Sequence, residues 1–397
     1  MKRRHFIKIA GTGVAAGFLG SRLPGAFFPD RPSDLGYHKI RDIRFTTVRL
    51  RYPRLAGKRS HSDITGTEIE SDIHVLYTDN GASGWGLSKV SQKALGRIFD
   101  DIKGMTVEDL ITPSTGVSAS LEALDFSLFD LAGRILKRPV YRLLGKRRPE
   151  IFPCHSGLIF FDDLEPDGNP AGIEKILEEC HSDYEYGFRQ FKLQIGRGFK
   201  WMDREKGVLR DIEVTKLVSS HFPDCDILVD GSDGFTPDQF LNYLEGIGDT
   251  RLFWIEEPFY ETTVDYAKLN SWLKVHKRNI YLADGRTDPD NALLKQLGSQ
   301  KIVCIDTHDI TDPGFTGWIS RIRSLKLMGL MASPDAGGSA IETNYIAHLA
   351  GAFGSVPTIE GFPCTSDDLD LSGYRLKNGR LIPSSGSGFG MELMKKI

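Results

Sequence analysis

Between residues 37 and 86 apolar and polar positions alternate, as in IRDIRFTTVRLRY (40–52) and IESDIHVLYTDNGASGWG (69–86). A period of two predicts half-buried strands. TDNG at 78–81 predicts the tight turn of a hairpin. The stretch between, PRLAGKRSHSDITG (53–66), reads as a polar loop carrying Lys58, Arg59 and His61. In SLEALDFSLFDLAGRIL (120–136) the apolar residues fall three and four apart, which predicts one buried helix face; residues 105–118 read as loop.

From residue 151 the pattern becomes strand, then helix, repeated. Apolar strand cores are expected at IFPCHSGL (151–158), FRQFKLQ (188–194), DILVD (226–230), RLFWIE (251–256), NIYLAD (279–284), KIVCID (301–306), LMGLMAS (327–333) and SVPTIE (355–360). Strands alternating with helices predict a parallel sheet, and eight units of this length suit a closed α/β barrel. An open doubly wound sheet is the second choice; no G-x-G-x-x-G follows the first strand to support it. The expected division is 1–35 signal and linker, 36–148 capping domain, 149–365 barrel, and 366–397 a segment packing back on the capping domain.

Ionisable residues collect where these strands end. Lys192 and Gln194 close the second, Asp230 the third and Glu256 the fourth. Asp284 and Arg286 follow the fifth, Asp306 and Asp309 the sixth, Asp335 the seventh, and Glu360 ends the eighth. In a barrel all these ends converge on one mouth, where sites are built. Burying Glu256 and Glu257 side by side is costly unless something satisfies them.

Composition adds little until the amino terminus. Of 397 residues, 40% are hydrophobic and 26% charged, with net charge −3, which gives no reason to expect a nucleic-acid or membrane surface. The five cysteines are scattered and read as buried small residues. Residues 1–20, MKRRHFIKIAGTGVAAGFLG, set Arg3 and Arg4 before a weakly apolar run too short to span a bilayer. This resembles a twin-arginine signal, which implies an exported, periplasmic protein with no membrane contact after signal removal.

The set ALDFSLFDLAGRILKRPVYRLLG, GFRQFKLQIG, ILVDGSDGF, LFWIEEPF, YLADGR, DITDPGFTGW and AIETNYIAHLAGAFG, in this order and spacing, resembles the enolase superfamily, mandelate racemase and muconate lactonizing enzyme branch. The resemblance covers nearly the whole chain after the signal. It implies a (β/α)7β-type TIM barrel with an N-terminal α+β capping domain, and a homo-oligomer. It also implies Mg²⁺ on three carboxylates, and removal of the proton alpha to the carboxylate of a small acidic substrate. A metal and a lysine stabilise the enediolate in such chemistry, and a Lys or His base takes the proton.

Carried onto this chain, the resemblance makes Asp230 and Glu256 metal ligands, with Glu257 in support. Lys192 becomes the first lysine of a Lys-x-Lys pair, Asp309 (or, second, Asp306) the acid that orients a histidine base, and Glu360 an acid at the eighth strand. Three positions depart. Gln194 replaces the second lysine, Asp335 the histidine, and Arg286 the third metal ligand. A guanidinium cannot ligate a metal, and one charge about 4 Å from a divalent ion costs about 8 kcal/mol at an effective dielectric near 20.

Two arrangements follow. Asp284, two residues earlier, reaches the ion while Arg286 swings out. Alternatively Arg286 replaces the metal, pairs with Asp230 and Glu256, and forks onto the substrate carboxylate. The reading is a lyase or isomerase (dehydratase or epimerase type) acting on a sugar acid or related hydroxy acid. Asp335, Lys192 or a residue of the capping loop is the base; Gln194, Arg286, Glu360, Lys58 and His61 bind substrate. The alternatives are a non-catalytic descendant that binds a sugar acid or protein partner, and a structural role in an exported assembly.

Overall fold

The computed structural model describes residues 34–397. The stretch read as an export signal lies outside them. Three antiparallel strands open the chain: β1 (Ile40–Ala56), β2 (Gly66–Thr78) and β3 (Ser83–Leu87). Their alternation is real, with Val48, Leu50 and Tyr52 of β1 buried and Arg49 and Arg51 exposed. Helices α1 (Gln92–Ile102) and α2 (Asp125–Ile135) follow. The face of α2 carrying Phe126, Phe129 and Leu131 is fully buried. The region 105–118 holds more than loop: a one-turn helix, Val107–Leu110, closed by a Thr106–Asp109 capping box, and two short paired strands.

Eight parallel strands then alternate with seven helices among the described residues. The strands are β4 (Phe152–Ile159), β5 (Gln190–Gln194), β6 (Asp226–Asp230), β7 (Trp254–Glu256), β8 (Tyr281–Asp284), β9 (Ile305–Asp306), β10 (Met331–Ala332) and β11 (Ile359–Gly361). Between them lie α3 (Glu174–Tyr186), α4 (Arg204–His221), α5 (Pro237–Gly246), α6 (Thr263–Val275), α7 (Asn291–Ser299), α8 (Gly314–Leu327) and α9 (Ala340–Phe353). Ladders run in sequence from β4 to β10, and β11 pairs with β4. Between β10 and β11 the ring closes through single bonds, Ala332 N–H to Ser355 O at 2.9 Å and Ser333 Oγ to Thr358 O at 2.8 Å. The fold is therefore an α/β (β/α)7β TIM barrel with an N-terminal domain of strands and helices.

Register decides which side chains enter the barrel. Lys192, Leu228 and Trp254 are partners across β5, β6 and β7, and one step up Gln194, Asp230, Glu256 and Ala283 form the next row. Leu228, Trp254, Ala283 and Ile305 plug the interior. The polar ends of that inward face form the mouth. No helix of the described residues is long and apolar enough to cross a membrane.

The segment after the barrel touches both layers. Its hairpin of β12 (Arg375–Lys377) and β13 (Arg380–Ile382) continues the sheet from β4. Thr365 exchanges two backbone hydrogen bonds with Arg51 of β1, and the Met391 carbonyl accepts from the Trp85 indole of β3 at 3.2 Å.

Candidate active site

At the mouth Lys192 occupies the centre. Its ammonium lies 2.7 Å from Glu360 Oε1, 3.3 Å from Glu256 Oε2 and 3.7 Å from Asp230 Oδ2. All four side chains are buried. Burial works against the lysine charge, but Glu256, Glu360 and Asp230 outweigh it and hold its pKa well above the ordinary value. Lys192 is thus a held cation, not a free base. Glu256 Oε2 stands within ion-pair range of it yet receives no well-directed hydrogen bond. Burial pushes the Glu256 carboxyl well up despite Lys192, and Glu360 up in the same way. Asp230 Oδ1 accepts from the Ser232 amide at 2.8 Å and hydroxyl at 2.9 Å, which leaves Oδ2 toward Lys192.

Arg286 enters the mouth from the loop after β8. It does not pair with Asp230 and Glu256, as one sequence expectation had it. Those two already face Lys192, and the Arg286 Nε lies 2.7 Å from Asp335 Oδ2 instead. Burial disfavours the Asp335 charge, but Arg286 and then Lys192 hold its carboxyl down to about 2. Asp335 is consequently a poor proton acceptor while that pair is closed.

Asp309 sits one bridge away, paired by backbone with Asp335. Its Oδ1 accepts from the Thr311 amide and hydroxyl, each at 2.6 Å. Burial first, and then the charge of Asp335, raise its carboxyl above the ordinary range. With Asp335 in the expected histidine position, Asp309 has no imidazole there to orient. Asp306 does hold a histidine, His308 at 2.9 Å, but it points out of the barrel with Arg321.

Asp284 is a correction. Alternation was expected to put it on the same face as Arg286. In the ladder Asp284 pairs with Asp306, one residue past the inward Ala283 and Ile305, so it faces the helices, and Oδ2 takes the hydroxyl of Tyr266 from α6. Gly285, at φ +132°, then turns the chain so that Arg286 returns to the mouth. A Cβ at Gly285 would lie 2.4 Å from His308 Nδ1, so only glycine fits. A cavity of about 220 Å³ outside the barrel between α7 and α8 is lined by Asp284 and Asp306, away from the mouth. Among the described residues no group of three or more His, Cys, Asp or Glu is arranged to hold a metal.

Glu257 supports rather than reacts. Its Oε1 accepts from the amides of Arg286 at 2.5 Å and Thr287 at 2.7 Å, and its Oε2 from the Thr287 hydroxyl at 2.6 Å.

The loop between β1 and β2 covers the mouth, with its cations in a different order from the one expected. Lys58 was expected to meet substrate. Its ammonium instead pairs with Glu165 at 2.9 Å and with Asp167, over the Trp201 ring, away from the opening. Arg59 takes the inward place. His61, held by the Ser232 carbonyl and against the Phe199 ring, lines the outer opening. Gln194 lines the inner cavity, with its amide donating to Asp230 O at 2.9 Å and Ser232 Oγ at 3.1 Å. Glu342 of α9 was missed at the sequence level. Burial pushes its carboxyl well up, and it lies close enough to Asp309, Asp335 and Glu360 to feel their charges. Residues 57–65 form no strand, so no alternation in the sequence singled out Arg59 over Lys58.

A family model described as "Enolase C-terminal domain-like" matches residues 175–397, more than half of the chain. The chain belongs to the enolase superfamily. Its barrel and capping domain are those of the mandelate racemase and muconate lactonizing enzyme-like members.

A galacturonate dehydratase from Geobacillus sp., solved with D-galacturonate and 5-keto-4-deoxy-D-galacturonate, is 27% identical to this enolase-superfamily chain, with TM-score 0.83 over 90% of this chain and 95% of that one. A mandelate racemase/muconate lactonizing protein from Geobacillus sp., solved with magnesium and tartrate, gives the same identity and TM-score over 90% and 93%. The arabinonate dehydratase of Saccharolobus solfataricus is 25% identical over 88% of this chain and 96% of its own length. The N-succinyl-L-Arg/Lys racemase of Bacillus cereus is 26% identical over 57% of this chain; the match spans 61% of the racemase, less than two-thirds of it. These relatives are enzymes, sugar acid dehydratases and racemases, and the chain stands among them.

Proposed function

We propose that this protein abstracts the proton alpha to the carboxylate of a sugar acid or related hydroxy acid, and then either expels water or returns the proton on the other face. We propose further that cations of the chain, Lys192 and Arg286, carry the charge that three carboxylates and Mg²⁺ would otherwise balance. The observation that carries this reading is the Lys192 ammonium within 2.7–3.7 Å of Glu360, Glu256 and Asp230. The residues present do not fit a three-carboxylate Mg²⁺ centre: two of the donors already face an ammonium, the third position is a guanidinium, and Asp284 faces Tyr266. No step is therefore routed through a metal.

In this scheme the alpha proton passes to Asp309. Its raised carboxyl and its Oδ2, which has no hydrogen-bond donor among the described residues, make it a better acceptor than Asp335. The electron pair left on carbon spreads onto the substrate carboxylate as an enediolate, stabilised by Lys192 and Arg286. For dehydration the beta C–O bond then breaks. Asp309, which now carries the alpha proton and lines the same outer cavity, hands it to the departing hydroxyl, so that water leaves. The sequence signal in residues 1–35 makes this an exported, periplasmic activity, a reading that rests on sequence alone.

The test is solvent deuterium exchange, followed by NMR, with a panel of aldonic and uronic acids and chelator-treated protein. Exchange or dehydration that persists without metal, and is lost in Asp309→Asn, is the expected result. Activity that vanishes with chelator and returns with Mg²⁺ would overturn the cation scheme. Thermal stabilisation by an acid without any exchange would favour a binding role instead.

A further inference from the structure

Two cavities meet at the mouth. The inner one, about 20 Å³, is lined by Lys192, Gln194, Asp230, Asp335 and Glu360 among others. By this measure it holds about one water. The outer one is about 310 Å³ and is walled by His61, Ser62, Ser232, Thr287 and Asp309. Arg59 and Arg286 are the two residues that line both.

Arg59 is unusual among the cations here. It has no carboxylate within ion-pair distance among the described residues, whereas Lys192 has three and Arg286 has Asp335. Its Nε is buried without an acceptor, and its guanidinium lies 5.3 Å from the centre of the Phe160 ring. Its position is not loose. The Arg59 carbonyl accepts from the Trp201 indole at 2.8 Å, and its neighbour Ser60 donates to Ile195 O at 2.7 Å. Burial and then the charge of Arg286 press its pKa down, against a weaker upward pull from Asp335, Asp230 and Glu360, none of which reaches ion-pair distance. Two guanidinium groups held close, one of them without a counter-ion, form a place that an anion completes: it supplies the missing acceptors and removes the repulsion.

We infer that the substrate carboxylate is seated between Arg59 and Arg286, with its hydroxyl-bearing chain lying outward along His61, Ser62, Ser232 and Thr287. The inference rests on the proposed action on a sugar acid, and names the ligand class as polyhydroxy monocarboxylates. The one-water inner cavity cannot take a carbon chain, so the chain has only the outer direction. This orientation brings the alpha carbon beside the wall that carries Asp309. Neutral polyols of the same length lack the group that the two arginines require.

Calorimetry with the full chain tests this, using the tightest acid from the aldonic and uronic panel and the corresponding alditol. The wild type should bind the acid and not the alditol. Arg59→Ala should weaken the acid by roughly 10- to 100-fold, Arg59→Lys should recover part of the loss, and added guanidinium ion should partly rescue Arg59→Ala. Arg51→Ala on β1, which removes an exposed pair with Asp367, serves as the control with unchanged binding. If Arg59→Ala does not fold, Arg59→Gln replaces it. Unchanged acid affinity in a folded Arg59 variant, or equal binding of acid and alditol by the wild type, overturns the inference while leaving the proposed function standing. Failure of the wild type to bind any acid overturns both.

Discussion

Glu257 shows how one residue can set the position of another without touching substrate. It stands in the left-handed region at φ +41°, which a non-glycine residue adopts only when its surroundings demand it. The return is a carboxylate that takes the amides of Arg286 and Thr287 together and so fixes the loop where Arg286 enters the mouth. Glu257→Ala leaves both amides without that acceptor. It should lower stability by about 2–3 kcal/mol, read by urea unfolding, and cut turnover by displacing Arg286. Glu257→Gln, which keeps an acceptor oxygen, should retain most of both. At this scale much of the site was legible. Lys192, Gln194, Asp230, Glu256 and Glu360 end strands whose alternation is unbroken, so their inward direction follows from the pattern. Asp284 was misread because the turn at Gly285 ends the alternation before Arg286, and nothing in a count of residues reveals a φ of +132°. Lys58 and Arg59 were misordered because the pull of Glu165 and Asp167 on Lys58 is a tertiary effect.

Elements meet through a second set of buried charges, between β1 and α3. Arg54 of β1 forks onto Asp183 of α3 at 2.6 and 2.8 Å, and Asp183 also takes the Ser156 hydroxyl at 2.5 Å. Glu179, one turn earlier on α3, is left at 3.9 Å from Arg54 with neither oxygen hydrogen-bonded among the described residues. Burial first, and then the charge of Asp162, raise its carboxyl from about 4.5 to about 9. Between those values the folded chain binds a proton that the unfolded chain has lost, so this group makes stability fall as pH rises. The melting temperature should therefore be higher near pH 5.5 than near pH 8.5. Glu179→Gln should flatten the decline and raise the pH 8.5 value by several degrees, roughly; an equal slope in variant and wild type would refute the assignment. The elements themselves were read with uneven success. DILVD matches β6 to the residue, while KIVCID and LMGLMAS yield only two ladder residues each. In the latter the run begins in α8, whose last residue, Leu327, is 90% exposed. A short apolar run does not distinguish a buried strand from a helix end.

For the whole molecule, the capping strands and the barrel are joined by the segment after β11. Besides the Thr365 and Met391 contacts, the Lys395 ammonium donates to Thr47 O at 2.7 Å, and the Asp130 carboxylate of α2 accepts from the Phe389 amide at 2.9 Å. A chain ending after residue 365 should lose cooperative unfolding of the capping strands with the barrel, seen as two transitions by calorimetry where the full chain gives one. The bond between Arg51 and Thr365 also orders events in time. Strand β1 leaves the ribosome long before its partner Thr365 does. The loop that follows that strand and carries Arg59 is fully anchored only once residue 365 has emerged. An elongating chain therefore carries no working pocket, and a nascent polypeptide stalled before residue 365 should be inert toward substrate however well its barrel has begun to form.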